Sequence, residues 1–131
     1  MRLLLDTHAL LWFLEGSLRL SASARDAIGE PLNHRFLSSA SLWEIAIKVS
    51  TGKLKLAQPF GHLVNDQLNA NDISVPPVDE RHLIAVSALA FPANGHRDPF
   101  DRMIACQALS EQLIVVSADP LFDSYGVNRL W

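Results

Sequence analysis

Residues 113–120 read Leu-Ile-Val-Val-Ser-Ala-Asp-Pro, and they carry the plainest structural signal in the chain. A short, uninterrupted apolar run rich in β-branched residues predicts a strand that is buried on both faces, as strands of parallel sheets are. Leu3–Leu5 is a second short apolar run, and Asp6 follows it directly. Asp119 follows the first run after two intervening residues. The two runs therefore predict a parallel sheet with an acid beyond the carboxyl end of each strand.

The rest of the sequence alternates between strand patterns and helix patterns. Further strands are predicted at 35–38, 73–75 and, as a short last strand, near Val127. Helices are predicted at 8–15, from Ser21 or Ser23 to 28, 42–49 with a stop at Gly52, 60–69, 80–90, 99–112 and 120–124. The chain has 131 residues and shows no repeat or linker. We therefore predict a single domain over residues 1–131, an α/β protein in which helices cover both faces of a mostly parallel sheet.

The composition excludes several protein classes. Hydrophobic residues make up 49% of the chain and charged residues 19%, which are ordinary values for a globular protein. One cysteine, Cys106, excludes a disulfide framework and a cysteine-rich zinc site, and we expect it to be buried packing. No apolar stretch approaches the roughly 20 residues of a membrane helix. We expect a soluble, cytoplasmic protein without a membrane partner.

Five acidic residues fall at one edge of the predicted sheet, where strands end or helices begin. They are Asp6, Glu44, Asp98, Asp101 and Asp119. Ligands of parallel α/β proteins bind beyond the carboxyl ends of the strands, which is this edge. Several carboxylates at one rim repel one another, so that either their pKa values rise or a cation binds among them. Oxygen ligands select hard cations such as Mg²⁺ or Mn²⁺, and such a site suits phosphoryl chemistry.

Each acid also has a purely structural explanation. Asp98-Pro99 and Asp119-Pro120 are typical helix starts, and Asp6 can cap the helix that follows it. Ser41–Glu44 matches a capping box, and Glu44 with Lys48 has the spacing of an ion pair on one helix face. Against this explanation, Asp101 begins an apolar helical stripe that continues with Ile104, Ala105 and Ala108. An acid on a core-facing stripe is unfavourable unless a positive group compensates it.

Four motifs follow one another along the chain: Asp6-Thr7-His8, Ser41–Lys48 (SLWEIAIK), Arg97–Ala105 (RDPFDRMIA) and Val115–Asp119 (VVSAD). In this order they resemble the PIN domain, and specifically the VapC toxins of bacterial type II toxin–antitoxin pairs. The resemblance covers almost the whole chain. It implies a three-layer α/β/α sandwich and a Mg²⁺- or Mn²⁺-dependent endoribonuclease. It further implies an RNA substrate, a cognate antitoxin (VapB-like) and a homodimer, for which Leu10–Leu14 offers apolar surface.

The family's acidic quartet maps onto Asp6, Glu44, Asp101 and Asp119, which the resemblance makes both catalytic residues and metal ligands. Asp101 is preferred to Asp98 because it directly precedes the helical run, and Asp98 is an extra acid or a cap. Ser117 and Thr7 are candidates for orienting a carboxylate or a water. The basic residues beside the acids are either RNA contacts or solvated surface: His96, Arg97 and Arg102. Arg102 can instead pair with a carboxylate of the site.

Two other functions compete with the nuclease. One is a non-catalytic, partner-binding module whose acids only cap helices. The other is a small-molecule phosphohydrolase that works through an aspartyl-phosphate, but the position of its second acid is taken by His8. The overall charge is −3, with 14 acidic and 11 basic residues, which at first argues against a nucleic-acid partner. Setting the five clustered acids aside leaves nine against 11 basic residues, a surface compatible with RNA but not with a strongly basic, salt-driven binder.

Overall fold

The computed structural model describes residues 1–131, and a five-stranded sheet runs through its centre. The strands are β1 (Arg2–Leu5), β2 (His34–Leu37), β3 (Ile73–Ser74), β4 (Ile114–Val116) and β5 (Arg129–Leu130). Their order across the sheet is β3-β2-β1-β4-β5, and every neighbouring pair is parallel. The predicted parallel sheet is thus confirmed. The last strand lies slightly later than predicted because Val127 is buried in the core just before the chain reaches the sheet edge.

Strand β1 is the central strand, and its side chains supply both cores. Leu3, Leu4 and Leu5 are all completely buried. Because side chains alternate along a strand, Leu3 and Leu5 point to one face of the sheet and Leu4 points to the other. The two hydrophobic clusters divide in the same way, one containing Leu3 and Leu5 and the other Leu4.

Helices cover both faces, which confirms the three-layer α/β/α sandwich. The face to which Leu3 and Leu5 point is covered by α1 (Thr7–Glu15), α2 (Ala22–Gly29) and α3 (Ser39–Ser50). It is also covered by three consecutive segments: α4 (Phe60–His62), a π-helical turn (Leu63–Gln67) and α5 (Leu68–Ala70). The Leu4 face is covered by α7 (Pro99–Glu111) and a 3₁₀ turn (Pro120–Tyr125), with α6 (Glu80–Ala88) packed against α7. None of these helices combines the length and the apolar character that crossing a membrane requires.

Side-chain caps fix the start of α3 and correct one prediction. The hydroxyl of Ser38 accepts a hydrogen bond from the amide of Ala40, so the helix begins at Ser39. Ser41 is therefore inside the helix, and Ser41–Glu44 is not the capping box that the sequence suggested. Glu44 lies in the second turn instead of the first. Its carboxylate is thereby not committed to the helix start.

Replacing Leu4 by alanine should destabilise the protein strongly, because the side chain is completely buried between the sheet and α7. We expect a loss of about 2–5 kcal/mol in the free energy of unfolding, measured by urea denaturation. Leu18 is 93% exposed, and Leu18→Ala is the matched control with an expected change within about 0.5 kcal/mol. Equal stability of the two variants would contradict the placement of Leu4 in the core.

Candidate active site

The carboxyl ends of three strands lie side by side, and Asp6 stands in the middle of them. Leu5, the last residue of β1, pairs with Leu37 of β2 and with Val116 of β4. The next residues along the three strands are therefore Asp6, Ser38 and Ser117. The backbone N–H of Asp6 donates to the carbonyl of Val116 at 3.1 Å, which extends the sheet by one hydrogen bond. The register of the sheet thus determines where the first acid is held.

Asp6 combines a capping role with an unfavourable electrostatic position. Its Oδ1 accepts a hydrogen bond of 2.6 Å from the amide of Ala9, so the predicted cap of α1 is confirmed. Only 8% of the residue is exposed. Burial raises the pKa of the Asp6 carboxyl, and the charge of Asp119 raises it further, while the Ser117 hydroxyl and the Ala9 amide oppose the shift. Asp6 and Asp119 are therefore near enough to repel each other when both are ionised.

Glu44 reaches the same edge from α3 and is buried there. Its Oε1 accepts a hydrogen bond of 2.6 Å from the hydroxyl of Thr7, the residue after Asp6. Its Oε2 accepts one of 2.8 Å from the Lys48 ammonium, which confirms the predicted ion pair. The carboxylate is thus compensated inside the protein by one cation and one hydroxyl.

Asp98 and Asp101 enter the site from the start of α7, with different roles. Asp98 is exposed and caps the helix, since its Oδ1 accepts from the amide of Asp101 at 2.9 Å. The side chain of Asp101 is half-buried. Burial is the main cause that raises the pKa of Asp101 to about 6; the charges of Asp98 and Glu44 add to the shift and His96 opposes it. The structure therefore brings Asp101 close to Glu44.

Asp119 lies beyond the end of β4 and is exposed. Its carboxylate accepts a hydrogen bond of 3.0 Å from the amide of Leu121 and starts the 3₁₀ turn. Its own amide donates to the Ser117 hydroxyl at 3.0 Å. Because Ser117 also lies beside the Asp6 carboxylate, one hydroxyl lies between the two acids.

A tyrosine that the sequence did not single out orders the histidine of the site. The Nδ1 of His96 lies 2.6 Å from the hydroxyl of Tyr125, and its Nε2 lies 3.2 Å from Oδ2 of Asp101. The imidazole is thus fixed between a phenol and a carboxylate. Nothing in the local sequence connects Tyr125 with His96, since 29 residues separate them. His96 therefore contacts the carboxylate of Asp101.

Arg97 and Arg102 differ in their surroundings. The exposed Arg97 guanidinium lies over the ring of Phe91, 4.4 Å from its centre. Arg102 is only 5% exposed, and its guanidinium donates to the carbonyls of Leu89 and Ala90 at the end of α6. It neither pairs with a site carboxylate nor faces solvent. Arg102 therefore holds the loop after α6, a correction to its prediction as an RNA contact or a carboxylate partner.

The acidic side chains of the site are chemically suited to a divalent cation, although they do not converge on one position. No three acidic, histidine or cysteine side chains lie close enough together to ligate a single ion. The donors are nevertheless carboxylate oxygens, the ligands that Mg²⁺ and Mn²⁺ prefer. Two of them, Asp6 and Asp101, are disfavoured as anions by burial and by neighbouring acids, an imbalance that a cation would relieve. The residues fit such an ion by their chemistry and charge.

Comparison with known families settles what this architecture is. The model of the PIN domain matches residues 3–128.

The chain belongs to the PIN domain family.

Solved VapBC structures share its fold at low sequence identity. VapBC2 from Rickettsia felis, bound to a promoter DNA fragment, aligns with a TM-score of 0.70 and 14% identity over 99% of this chain and 98% of that one. VapBC-1 from nontypeable Haemophilus influenzae aligns with a TM-score of 0.68 and 19% identity, over 99% of this chain and 97% of that one. DNA-bound VapBC from Salmonella typhimurium aligns with a TM-score of 0.67 and 20% identity, over the same two shares. No curated protein matches the sequence significantly.

Asp101→Asn should stabilise this PIN domain near neutral pH when no metal is present. The pKa of Asp101 in the folded protein, about 6, lies above its ordinary value of 3.8. Between these values the folded state binds more protons than the unfolded state, so stability falls as the pH rises. The asparagine removes this loss, and we expect a gain of about 1–3 kcal/mol at pH 7.

Urea denaturation in the presence of a chelator, repeated from pH 4 to pH 8, measures this effect. The difference between the variant and the native protein should grow through the window from about pH 4 to pH 6 and then level off. Asp26→Asn on the exposed face of α2 is the matched control, with no growing difference expected. A difference that is independent of pH would show that the substitution acts by packing alone.

Proposed function

We propose that this PIN domain is a Mg²⁺- or Mn²⁺-dependent endoribonuclease and the VapC-type toxin of a toxin–antitoxin pair. The observation that supports the proposal is a set of acids that influence one another's charge at this edge of the sheet, Asp6 with Asp119 and Asp101 with Glu44. Structural roles do not account for the whole set. Glu44 caps no helix, and Asp101 is held half-buried beside two other acids. Charge gathered in this way is typical of a site that binds metal and substrate.

In the proposed reaction the four acids Asp6, Glu44, Asp101 and Asp119 would hold the metal. A divalent ion bound there would lower the pKa of a water and stabilise the charge of the attacked phosphate. Thr7 positions Glu44 through its hydrogen bond, and His96 positions Asp101. We assign Ser117, which lies beside the Asp6 carboxylate and accepts from the Asp119 amide, the positioning of Asp6. We assign the exposed Arg97 a contact to an RNA phosphate, while Asp98 serves the start of α7.

The non-catalytic alternative has some support, because Asp6, Asp98 and Asp119 all act as caps. A capping role, however, does not require an acid to be buried beside another acid. Asp6 is buried and lies near Asp119. The phosphohydrolase has less support. His8, at the position of its second acid, is exposed and lies against Trp12 with 5.5 Å between the ring centres. We therefore favour the nuclease, acting in the cytoplasm on RNA.

RNA cleavage tests the proposal. The purified protein should cut RNA in Mg²⁺ or Mn²⁺, and chelation should stop it. Asp6→Asn should lower the rate at least about 100-fold, since it removes a negatively charged ligand at the centre of the site. Asp26→Asn, an equal change of charge on α2, should cleave like the native protein. Sequencing of the 5′ ends formed in cells that express the protein, with Asp119→Ala as the inactive comparison, identifies the cut sites.

Thermal unfolding separates loss of the metal from loss of the fold. A metal that binds only the folded state stabilises it by about 2.7 kcal/mol at 100 times its dissociation constant. Mn²⁺ should therefore raise the melting temperature of the native protein by several degrees and that of Asp6→Asn much less. Intact metal-dependent cleavage by Asp6→Asn would contradict the proposal, and so would a flat response of the native protein at millimolar metal.

We also propose an antitoxin partner and a homodimer. The similar structures named above are VapBC complexes, which supports a partner of the VapB type. For the dimer, Leu10 and Leu11 are buried in the core and the other three residues are half-buried, so only part of the surface expected at Leu10–Leu14 is free. We place the dimer surface on α3 and α6, where three exposed apolar side chains lie at or beside a groove of about 380 Å³: Trp43, Leu83 and Ile84. Trp43 precedes Glu44, so this interface would adjoin the site.

Light scattering at micromolar concentrations tests the dimer. We expect the mass of two chains for the native protein and of one chain for Ile84→Asp, because Ile84 is 68% exposed and the aspartate would have to be buried in the interface. Leu18→Asp, a similar change on a distant exposed loop, should leave the dimer intact. A monomeric native protein would contradict the proposed dimer but would leave the proposed nuclease activity unaffected.

A further inference from the structure

The loop between α6 and α7 places an arginine over an exposed aromatic ring. Phe91 in this loop is 54% exposed. A turn follows it, closed by a hydrogen bond of 3.0 Å from the amide of Gly95 to the carbonyl of Pro92. Gly95 has a φ of 80°, a conformation that favours glycine. After this turn the chain returns, and the guanidinium of Arg97 lies 4.4 Å from the centre of the Phe91 ring.

A second arginine, on α7, holds the ring in place. The guanidinium of Arg102 lies 4.0 Å from the centre of the Phe91 ring. Arg102 is buried, and its guanidinium donates to the carbonyls of Leu89 and Ala90, the two residues before Phe91. The ring is thus in contact with a fixed group of the interior and is still open to solvent. Phe91 is therefore an ordered part of the surface.

The guanidinium of Arg97 is free to bind a ligand. Arg97 is exposed and forms neither a side-chain hydrogen bond nor an ion pair within the protein. Arg19 shares this property, whereas the side chains of the other arginines donate to carbonyls or carboxylates of the chain. A guanidinium is planar, and the contact with the ring occupies one side of that plane. The other side and the N–H groups of Arg97 remain available.

Arg97 also lies beside the acids of the candidate active site. It follows His96, whose Nε2 is 3.2 Å from Oδ2 of Asp101. It precedes Asp98, whose carboxylate accepts from the amide of Asp101. Both neighbours of Arg97 in the chain are thus bonded to Asp101. A ligand on Arg97 would therefore lie next to the place where the proposed nuclease cuts.

We propose that Phe91 and Arg97 bind an unpaired RNA base beside the phosphate that is cut, an inference that rests on the proposed nuclease function. Unpaired bases stack on aromatic rings and on guanidinium planes, whereas the bases of a duplex are already stacked on one another. The N–H groups of Arg97 can contact a phosphate while its plane contacts the base. Because every base has a flat face, this contact strengthens the binding of single strands without selecting a sequence.

Fluorescence anisotropy with two labelled ligands tests the base contact. One ligand is a pool of single-stranded RNA of random sequence, roughly ten nucleotides long. The other is a ribose-phosphate chain of the same length that lacks all bases. A chelator is present, so that neither ligand is cut. The native protein should bind the RNA at least about fivefold more tightly than the abasic chain, because only the RNA can stack.

Two variants remove the stacking contact and keep the charge of the protein. Arg97→Lys retains the positive charge but loses the planar group, and Phe91→Leu retains an apolar side chain but loses the ring. Each should weaken the binding of RNA about five- to tenfold and leave the binding of the abasic chain within about twofold of the native value. Thermal unfolding shows whether each variant is folded, and Arg97→Lys, a conservative change at an exposed position, decides the test if Phe91→Leu is unstable.

Arg19→Lys is the matched control. Arg19 is exposed, lies beyond the end of α1 that is remote from Asp6, and has no aromatic ring beneath it. The affinities of this variant for RNA and for the abasic chain should both equal those of the native protein.

Three results would overturn the inference. A native protein that binds both ligands equally, or neither, makes no base contact. An equal loss of affinity for RNA and for the abasic chain in Arg97→Lys would reduce Arg97 to a phosphate contact. Unchanged binding of RNA by both variants would place any base contact elsewhere. No cleavage is measured, so a protein that shows the base contact but cuts no RNA would contradict the proposed nuclease alone.

Discussion

The structure depends on the complete burial of one short strand. Leu3, Leu4 and Leu5 have no exposed surface, and β1 is hydrogen-bonded to a neighbour on each side, so no backbone group of the strand is left unpaired in the interior. Burying apolar side chains on both faces requires a helical layer above and below, which gives the three-layer arrangement. The residue after the strand, Asp6, caps α1 with its side chain. The buried strand thus holds Asp6 at the carboxyl edge of the sheet.

The candidate site is assembled from groups that also hold the fold together. Asp6, Asp98 and Asp119 each satisfy the first amides of a helical segment, which benefits stability. Collecting Asp6, Glu44, Asp101 and Asp119 at one edge works against stability, because the pKa values of Asp6 and Asp101 are raised. Within this set, Glu44 forms an ion pair with Lys48, and Asp101 lies 3.2 Å from the imidazole of His96. The protein therefore tolerates electrostatic repulsion at this edge, as functional sites commonly do.

The sequence was sufficient for features that arise from local patterns. Apolar runs predicted β1 and β4, and the Asp-Pro pairs predicted the helix starts at Asp98 and Asp119, because both signals lie within a few residues. It failed where contacts span the chain. The pairing of Tyr125 with His96 and the burial of Arg102 under the end of α6 depend on packing between α6, α7 and the 3₁₀ turn. The misplaced cap of α3 has a different cause, since Ser38 and Ser41 are both good capping residues and only the sheet register decides between them.

The two edges of the sheet are unusually short. Strands β3 and β5 have two residues each, and the longer strands are enclosed between them. A foreign strand that tried to join the sheet would find too few free backbone donors and acceptors to align with. This arrangement protects the protein against edge-to-edge aggregation. It also means that a partner cannot dock by strand addition and must recognise the side chains of the helices instead.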